Sequence, residues 1–345
     1  ALAGTPPKAK HIGVVRNFVV MGNLDESGTV YPYRLRWSGI NDVTNWVTSK
    51  LKMSDYQDLF SAHRNSQIQA VRGGSYGIIV AEHSTWVMEY IGPPEVFAFS
   101  ETLPYIGTPA PQSVIRVGDD VYMLSQNGFI MVRAGRAVQE IGNNRVNQWF
   151  FDQVSEPDIF RTVGAWDRRK RCLIWVFPGK ANDAGKPNHG IIYSVESQRW
   201  AYFVQDTEWI FSGMGRSLTL EDLDSLYSSI DAMTVSLDSN SWTDNNLNVT
   251  AFDHTHASGQ FDGAAMNAVL ETTEAQLTPY QRSLVSRIRL QIDNPGAATV
   301  RAGTRASQSD DLVWGDAIGQ EANGSYTMRS ESRYHRFRAD ITGGF

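Results

Sequence analysis

Val121-Tyr122-Met123-Leu124-Ser125-Gln126-Asn127-Gly128-Phe129-Ile130-Met131-Val132 is the stretch on which the fold turns. Two apolar runs rich in β-branched and aromatic residues flank a polar turn ending in Gly, which reads as a β-hairpin. The same design occurs upstream, where Ile78-Ile79-Val80-Ala81 turns through Glu82-His83-Ser84 into Thr85-Trp86-Val87-Met88-Glu89-Tyr90. Val80 and Met123 are 43 residues apart, as are Trp86 and Phe129. Hairpins recurring at this spacing, with an aromatic after each turn, are the pattern of propeller blades; a non-repetitive sandwich is the alternative.

Working outward, Phe18-Val19-Val20-Met21 leads through Gly22-Asn23 to Tyr33-Arg34-Leu35-Arg36-Trp37. On the other side, Cys172-Leu173-Ile174-Trp175-Val176-Phe177 precedes a polar loop, Pro178 to His189, that reads as an insertion. Ile191-Ile192-Tyr193-Ser194 and Arg199-Trp200-Ala201-Tyr202-Phe203 then form another hairpin. Helical signals are few: Leu220, Leu223, Tyr227 and Ile230 share a helical face, and Asn147 to Val154 suits a short turn of helix. From Asp238 the texture changes to polar stretches and alternating strands, at Leu284 to Ile292 and Tyr334 to Ile341. The expectation is an all-β chain: propeller-like blades of antiparallel hairpins over residues 1–237, and a smaller β-rich, sandwich-like region with inter-subunit contacts over 238–345.

The 345 residues carry 31 Lys and Arg against 37 Asp and Glu, a net charge of −6. Tight phosphate binding calls for a basic stripe, because each neutralised phosphate releases counterions. The one dense basic cluster, Arg168-Arg169-Lys170-Arg171, reads as a solvated hairpin tip. The single cysteine, Cys172, excludes an intrachain disulfide, and it sits in an apolar strand as a buried small hydrophobe. No run of 18 apolar residues and no leader segment is seen, which suggests a protein made in a reducing cytoplasm.

The candidate chemical motifs each have a plainer reading. Gly73-Gly74-Ser75-Tyr76-Gly77 matches the Gly-x-Ser-x-Gly hydrolase elbow, but Ile78-Ile79-Val80 after it reads as strand where an elbow needs a helix. His254-Thr255-His256 would supply two metal ligands from one strand face, and no third is evident. Asp25, Glu26, Glu82, Glu89, Glu101, Asp119 and Asp120 are the carboxylates from which a glycosidase pair would have to come. Gly213-Met214-Gly215 lacks the rest of a nucleotide fingerprint. The expectation is therefore no catalytic residue, no cofactor and no metal.

Several segments, in order along the chain, resemble a known family. They are Arg34-Leu35-Arg36-Trp37-Ser38-Gly39-Ile40-Asn41-Asp42 with Trp46, Gly107-Thr108-Pro109-Ala110-Pro111-Gln112-Ser113-Val114, and Val121 to Phe129. Next come Ile141-Gly142-Asn143-Asn144-Arg145-Val146, Ile192-Tyr193 with Arg199-Trp200, and Ser236-Leu237-Asp238-Ser239 with Trp242. Arg333-Tyr334-His335-Arg336-Phe337-Arg338 closes the set. Together they resemble the β-propeller tail nozzle or hub proteins of short-tailed bacteriophages, relatives of head-completion proteins that stabilise packaged DNA.

The resemblance implies a virion protein of the phage tail, made in the host cytoplasm. It would form a homo-oligomeric ring of six below the portal and adaptor, around the channel through which DNA leaves. An acidic wall would repel phosphates and keep the genome mobile. A closed ring needs two unlike complementary patches on each copy, for which Arg333, Arg336 and Arg338 are candidates. The competing reading is a carbohydrate-binding or carbohydrate-active propeller, with Trp46, Trp86, Trp209 and Trp242 stacking on sugars. A cellular WD or Kelch scaffold is disfavoured, since Trp166-Asp167 is the lone Trp-Asp pair.

Overall fold

Strands alternate their side chains between two faces, so a strand that is apolar at every position must be covered on both. That condition organises the computed structural model, which describes residues 4–61, 66–143, 145–214, 247–261, 267–291 and 297–342. Two compact units divide the chain, Ala1–Phe261 and Asp262–Phe345.

The first unit is a succession of antiparallel sheets, each formed by strands consecutive in the chain. The first holds β1 (Lys8–Val15), β2 (Phe18–Glu26), β3 (Thr29–Trp37) and β4 (Asp55–Asp58). The second holds β5 (Ile68–Arg72), β6 (Gly77–Ala81), β7 (Ser84–Gly92) and β8 (Val96–Pro104). The third holds β9 (Ile115–Val117), β10 (Asp120–Ser125), β11 (Gly128–Arg133) and β12 (Ala137–Glu140), followed by helix α1 (Asn147–Gln153). The fourth holds β13 (Val163–Asp167), β14 (Cys172–Phe177), β15 (His189–Ser194) and β16 (Arg199–Val204). The fifth holds β17 (Trp209–Met214), β18 (Leu247–Phe252) and β19 (Ser258–Gln260). The 43-residue spacing joins equivalent strands, β6 with β10 and β7 with β11.

Successive sheets stack face to face, and residue parity shows how. In β10, Val121 and Met123 pack with Ile78 and Val80 of the second sheet. Their neighbours Tyr122 and Leu124 pack with Leu173, Trp175 and Phe177 of the fourth. In β14 the other parity, Ile174 and Val176, meets Ile210 and Val249 of the fifth. The middle strands are therefore buried on both faces, whereas the outer strands β12 and β16 are mostly exposed. The first strands lie innermost: β1 packs on β5, and β13 on both β9 and β17. These are propeller-like blades.

The linker from the second sheet to the third ties the stack together. Gly107 lies so close to the Ala81 carbonyl that a Cβ would sit 2.3 Å from its oxygen. The buried Thr108 hydroxyl donates to the Leu124 carbonyl at 2.6 Å. Trp175, fully buried, donates its indole N–H to the Ser113 carbonyl at 2.9 Å.

The second unit is β-rich and sandwich-like. Its strands are β20 (Ala268–Glu271), β21 (Ser283–Ile288), β22 (Ala297–Arg305), β23 (Val313–Trp314), β24 (Ile318–Gly319), β25 (Tyr326–Ser332) and β26 (Tyr334–Thr342). One sheet runs β20-β26-β22-β23, with β24 also on β22, and β21 pairs with β25. Tyr326 and Met328 of β25 share a core with Val300 of β22 and with Ala339 and Ile341 of β26. The alternating strand expected from Leu284 to Ile292 ends at Ile288, with a register shift between Val285 and Arg287.

The boundary expected at Asp238 lies outside the described residues, as do the helical face of Leu220 to Ile230 and the segment Ser236 to Trp242. Residues 247–261 belong with the first unit because β18 completes the ladder of β17, so that unit runs to Phe261. Trp175→Ala should remove a filled core position and a buried hydrogen bond, destabilising the protein by about 3–5 kcal/mol. A drop in urea midpoint with an unchanged denaturant slope checks this.

Candidate functional site

Where the first strands converge, the side chains leave a passage. Arg72, at the end of β5, lines it with Gln112, Val114, Ile115 and Arg116, across from Val163–Trp166 of β13 and Trp209–Ser212 of β17. This part measures about 350 Å³. It continues into a mouth of about 440 Å³ formed by His11 of β1, Phe160, Arg161, Lys186 and Glu208. Gln112, Val163 and Trp209 line both. Trp209 and Phe160 are 40% and 53% exposed there, leaving aromatic surface open to a ligand.

The two inner arginines differ in what holds them. Arg116 gives Nη1 to the carbonyls of Arg72, Gly73 and Tyr76 at 3.2, 3.0 and 2.8 Å, and Nε to Gly118 at 2.9 Å. Its guanidinium stacks on Tyr76 at 4.6 Å, and Asp119 lies 3.7 Å from Nη2. Arg116 is thus a bracket between the second and third sheets. Arg72 gives Nε to the Val114 carbonyl at 2.8 Å, and among the described residues no carboxylate pairs with it. Burial lowers its pKa, since a charge removed from water loses hydration. Burial, with the nearby charges of Arg72 and Lys10, also pushes His11 down to about 4, against a hydrogen bond to the Ile68 backbone.

Glu208 is the carboxylate of the mouth, and His256 Nδ1 lies 3.1 Å from it. The acids considered from the sequence as glycosidase candidates, among which Glu208 was not counted, are scattered among separate local partners. Asp25 accepts from the Gly28 N–H at 2.8 Å, and Glu26 accepts from Arg34 at 3.0 Å and Arg36 at 2.6 Å. Glu82 lies 3.8 Å from His83, and Glu89 pairs with Arg136. Glu101 accepts from the Ser61 hydroxyl at 2.6 Å, and Asp120 lies 3.6 Å from Arg133.

Ser75 occupies the β5–β6 turn and no strand-to-helix elbow. A Cβ on Gly73 would stand 1.8 Å from the Val14 carbonyl oxygen, so the glycine is there for close approach between sheets. His254 and His256 lie in the turn between β18 and β19 rather than on one strand face. Their rings part, to the Pro187 carbonyl at 3.0 Å and to Glu208. Among the described residues no cluster of three His, Cys, Asp or Glu could hold a metal ion. Arg168–Arg171 form an exposed hairpin tip between β13 and β14.

Of the tryptophans considered for sugar stacking, Trp46 is buried at 2% exposure, Trp86 is half-buried and Trp209 is open, while Trp242 lies outside the described residues. Arg336 and Arg338 already meet Glu271 at 2.6 and 3.5 Å, and Arg338 meets Asp340 at 2.8 Å. Arg333 stacks on Tyr334 at 5.6 Å. Arg72 and His11 were not apparent as site residues in the sequence. The one signal for Arg72 is a charge ending the otherwise inward-facing run Ile68-Gln69-Ala70-Val71.

No protein-family model matches the chain, and no curated protein matches it. A solved structure described as a glycoside hydrolase aligns over 97% of this chain and 94% of its own, at 9% identity and a TM-score of 0.27. A likeness at that level carries no argument.

Cys172 is buried, and burial, with the Asp167 charge near it, pushes its thiol up to about 11. The folded protein at pH 8 should therefore resist iodoacetamide and react after unfolding; rapid native labelling would contradict the buried placement. His11 favours its neutral form when folded, so its contribution to stability is complete above pH 6.5 and is lost as the pH falls toward 4. His11→Gln should flatten the acid decline of the urea midpoint across that window.

Proposed function

We propose that this chain is a non-catalytic structural subunit of a short-tailed phage tail, a nozzle or hub protein that assembles into a six-membered ring around the DNA exit channel. The ordered resemblance along the chain motivates the reading, and one feature of the first unit carries it. Two unlike apolar strips lie exposed on different sheets: Ile12 and Val14 on β1 at 56% and 57%, and Tyr202 and Val204 on β16 at 66% and 58%. Exposed apolar surface on different elements suits heterologous contacts, in which each copy offers one patch and receives another. The net charge of −6 suits a wall past which DNA moves without adsorbing. Such a subunit would sit in the virion tail, against the portal, the adaptor and its own copies.

A carbohydrate-binding role is the second reading, favoured by the open Trp209 and Phe160 at the mouth. Against hydrolysis stands the lining of the passage. A glycosidase needs two carboxylates about 5–10 Å apart, and the described lining offers Glu208, already beside His256.

Purified protein should form rings in negative-stain micrographs, alone or with portal and adaptor, and sediment accordingly. Tyr202→Asp with Val204→Asp should return it to monomers while leaving the circular dichroism spectrum unchanged. A monomer under every condition, without affinity for any tail component, counts against the ring. Release of reducing ends from a polysaccharide panel would overturn the non-catalytic assignment.

A further inference from the structure

Arg72 is a cation held in the inner passage with most of its hydrogen-bonding capacity unspent. A guanidinium has five N–H donors, and in Arg72 the Nε–H meets the Val114 carbonyl while, among the described residues, no acceptor meets Nη1 or Nη2. Arg72 is half-buried, and its Nη1 and Nη2 are not sealed among unsatisfied buried atoms, so the free end of the fork opens to the passage. Arg116, on the first strand of the next sheet, shows the ordinary outcome, with Nη1 spent on three carbonyls.

The surroundings point to what would complete Arg72. Arg161 and Lys186 stand at the mouth, and Arg161 is held by the Ala184 carbonyl at 2.9 Å with its guanidinium over Phe160 at 5.9 Å. Glu208 is the acid present, and it lies beside His256. The described lining is thus cationic in a chain whose net charge is −6. A mouth of about 440 Å³ next to an inner part of about 350 Å³ exceeds the size of a free inorganic ion. Trp209 lines both parts and Phe160 lines the mouth, so exposed aromatic surface stands within reach of a ring.

We propose that the passage between the first strands is a binding site for a phosphate group carried on a small ring compound, such as a sugar or nucleoside monophosphate. The free Nη1 and Nη2 of Arg72 grip the phosphate, and Trp209 packs on the ring. Bidentate guanidinium–phosphate pairing is the strongest use of that fork. The inference goes beyond the ring reading and does not depend on assembly, because every residue in it belongs to one copy.

The test is isothermal titration calorimetry on the full chain in chloride buffer, with sodium phosphate, glucose 6-phosphate and adenosine monophosphate as probes. Saturable one-site binding is expected, tighter for the two ring compounds than for inorganic phosphate. Trp209→Ala should remove that advantage alone. Arg72→Gln should weaken every probe by about tenfold or more, as expected when one partner of a charge pair is lost. Arg168→Gln, on the exposed hairpin tip, should leave binding unchanged.

Ser212→Glu places a carboxylate at an exposed position on the passage wall and should abolish binding, a reading that holds even if Arg72→Gln fails to fold. Equal affinity for inorganic phosphate and the ring compounds would overturn the ring component. The site itself is overturned if no probe binds below about 10 mM, if Ser212→Glu or folded Arg72→Gln binds like the parent, or if Arg168→Gln weakens binding equally.

Discussion

Strands with no polar face can be satisfied only by apolar cover on both sides, and the middle strands of the first unit are of this kind. In β14 every residue from Cys172 to Phe177 is buried. Leu173, Trp175 and Phe177 look toward the third sheet, and Ile174 and Val176 toward the fifth. A sheet so built needs another before and behind it, and the sheets therefore follow one another in chain order. The Trp175–Ser113 hydrogen bond and the buried Thr108 hydroxyl settle the polar groups of the linker that this stacking encloses.

The same stacking produces the passage. The inner ends of the sheets touch closely at Gly73 and Gly164, where a Cβ would stand 1.8 Å from the Val14 carbonyl oxygen and 2.7 Å from Ile115 Cδ1, and the passage lies beside these contacts. Polar groups brought to that space meet different fates. Arg116 is consumed by backbone carbonyls and becomes part of the frame. Arg72 keeps its fork, and its charge bears on His11, which stays neutral at physiological pH. Burial and the local field together make this the place where the first unit departs from simple packing.

The second unit handles its charges differently. Along β26 the buried residues His335, Ala339 and Ile341 alternate with Arg336, Arg338 and Asp340. Arg336 and Arg338 share Glu271, while Arg301 reaches Asp340 at 3.3 Å, so two of the three arginines read as contact candidates are ion-paired within their own chain. Half-exposed pairs of this sort contribute little each, about 0–1 kcal/mol. A partner carboxylate could displace them at small cost.

Apolar runs, polar turns and a 43-residue recurrence in the sequence determine that the chain makes consecutive antiparallel hairpins, because period and turn chemistry are local properties. The exposure of Arg168–Arg171, the burial of Cys172 and the short helix near Asn147 were legible for the same reason. Which sheet each parity faces, where the first unit ends, and the fate of each arginine were decided by tertiary structure. Phe252 and Trp209 pair across a long stretch of chain, and His11, Arg72, Gln112 and Trp209 come from four separate elements. No local pattern records which groups long-range packing will leave without a partner.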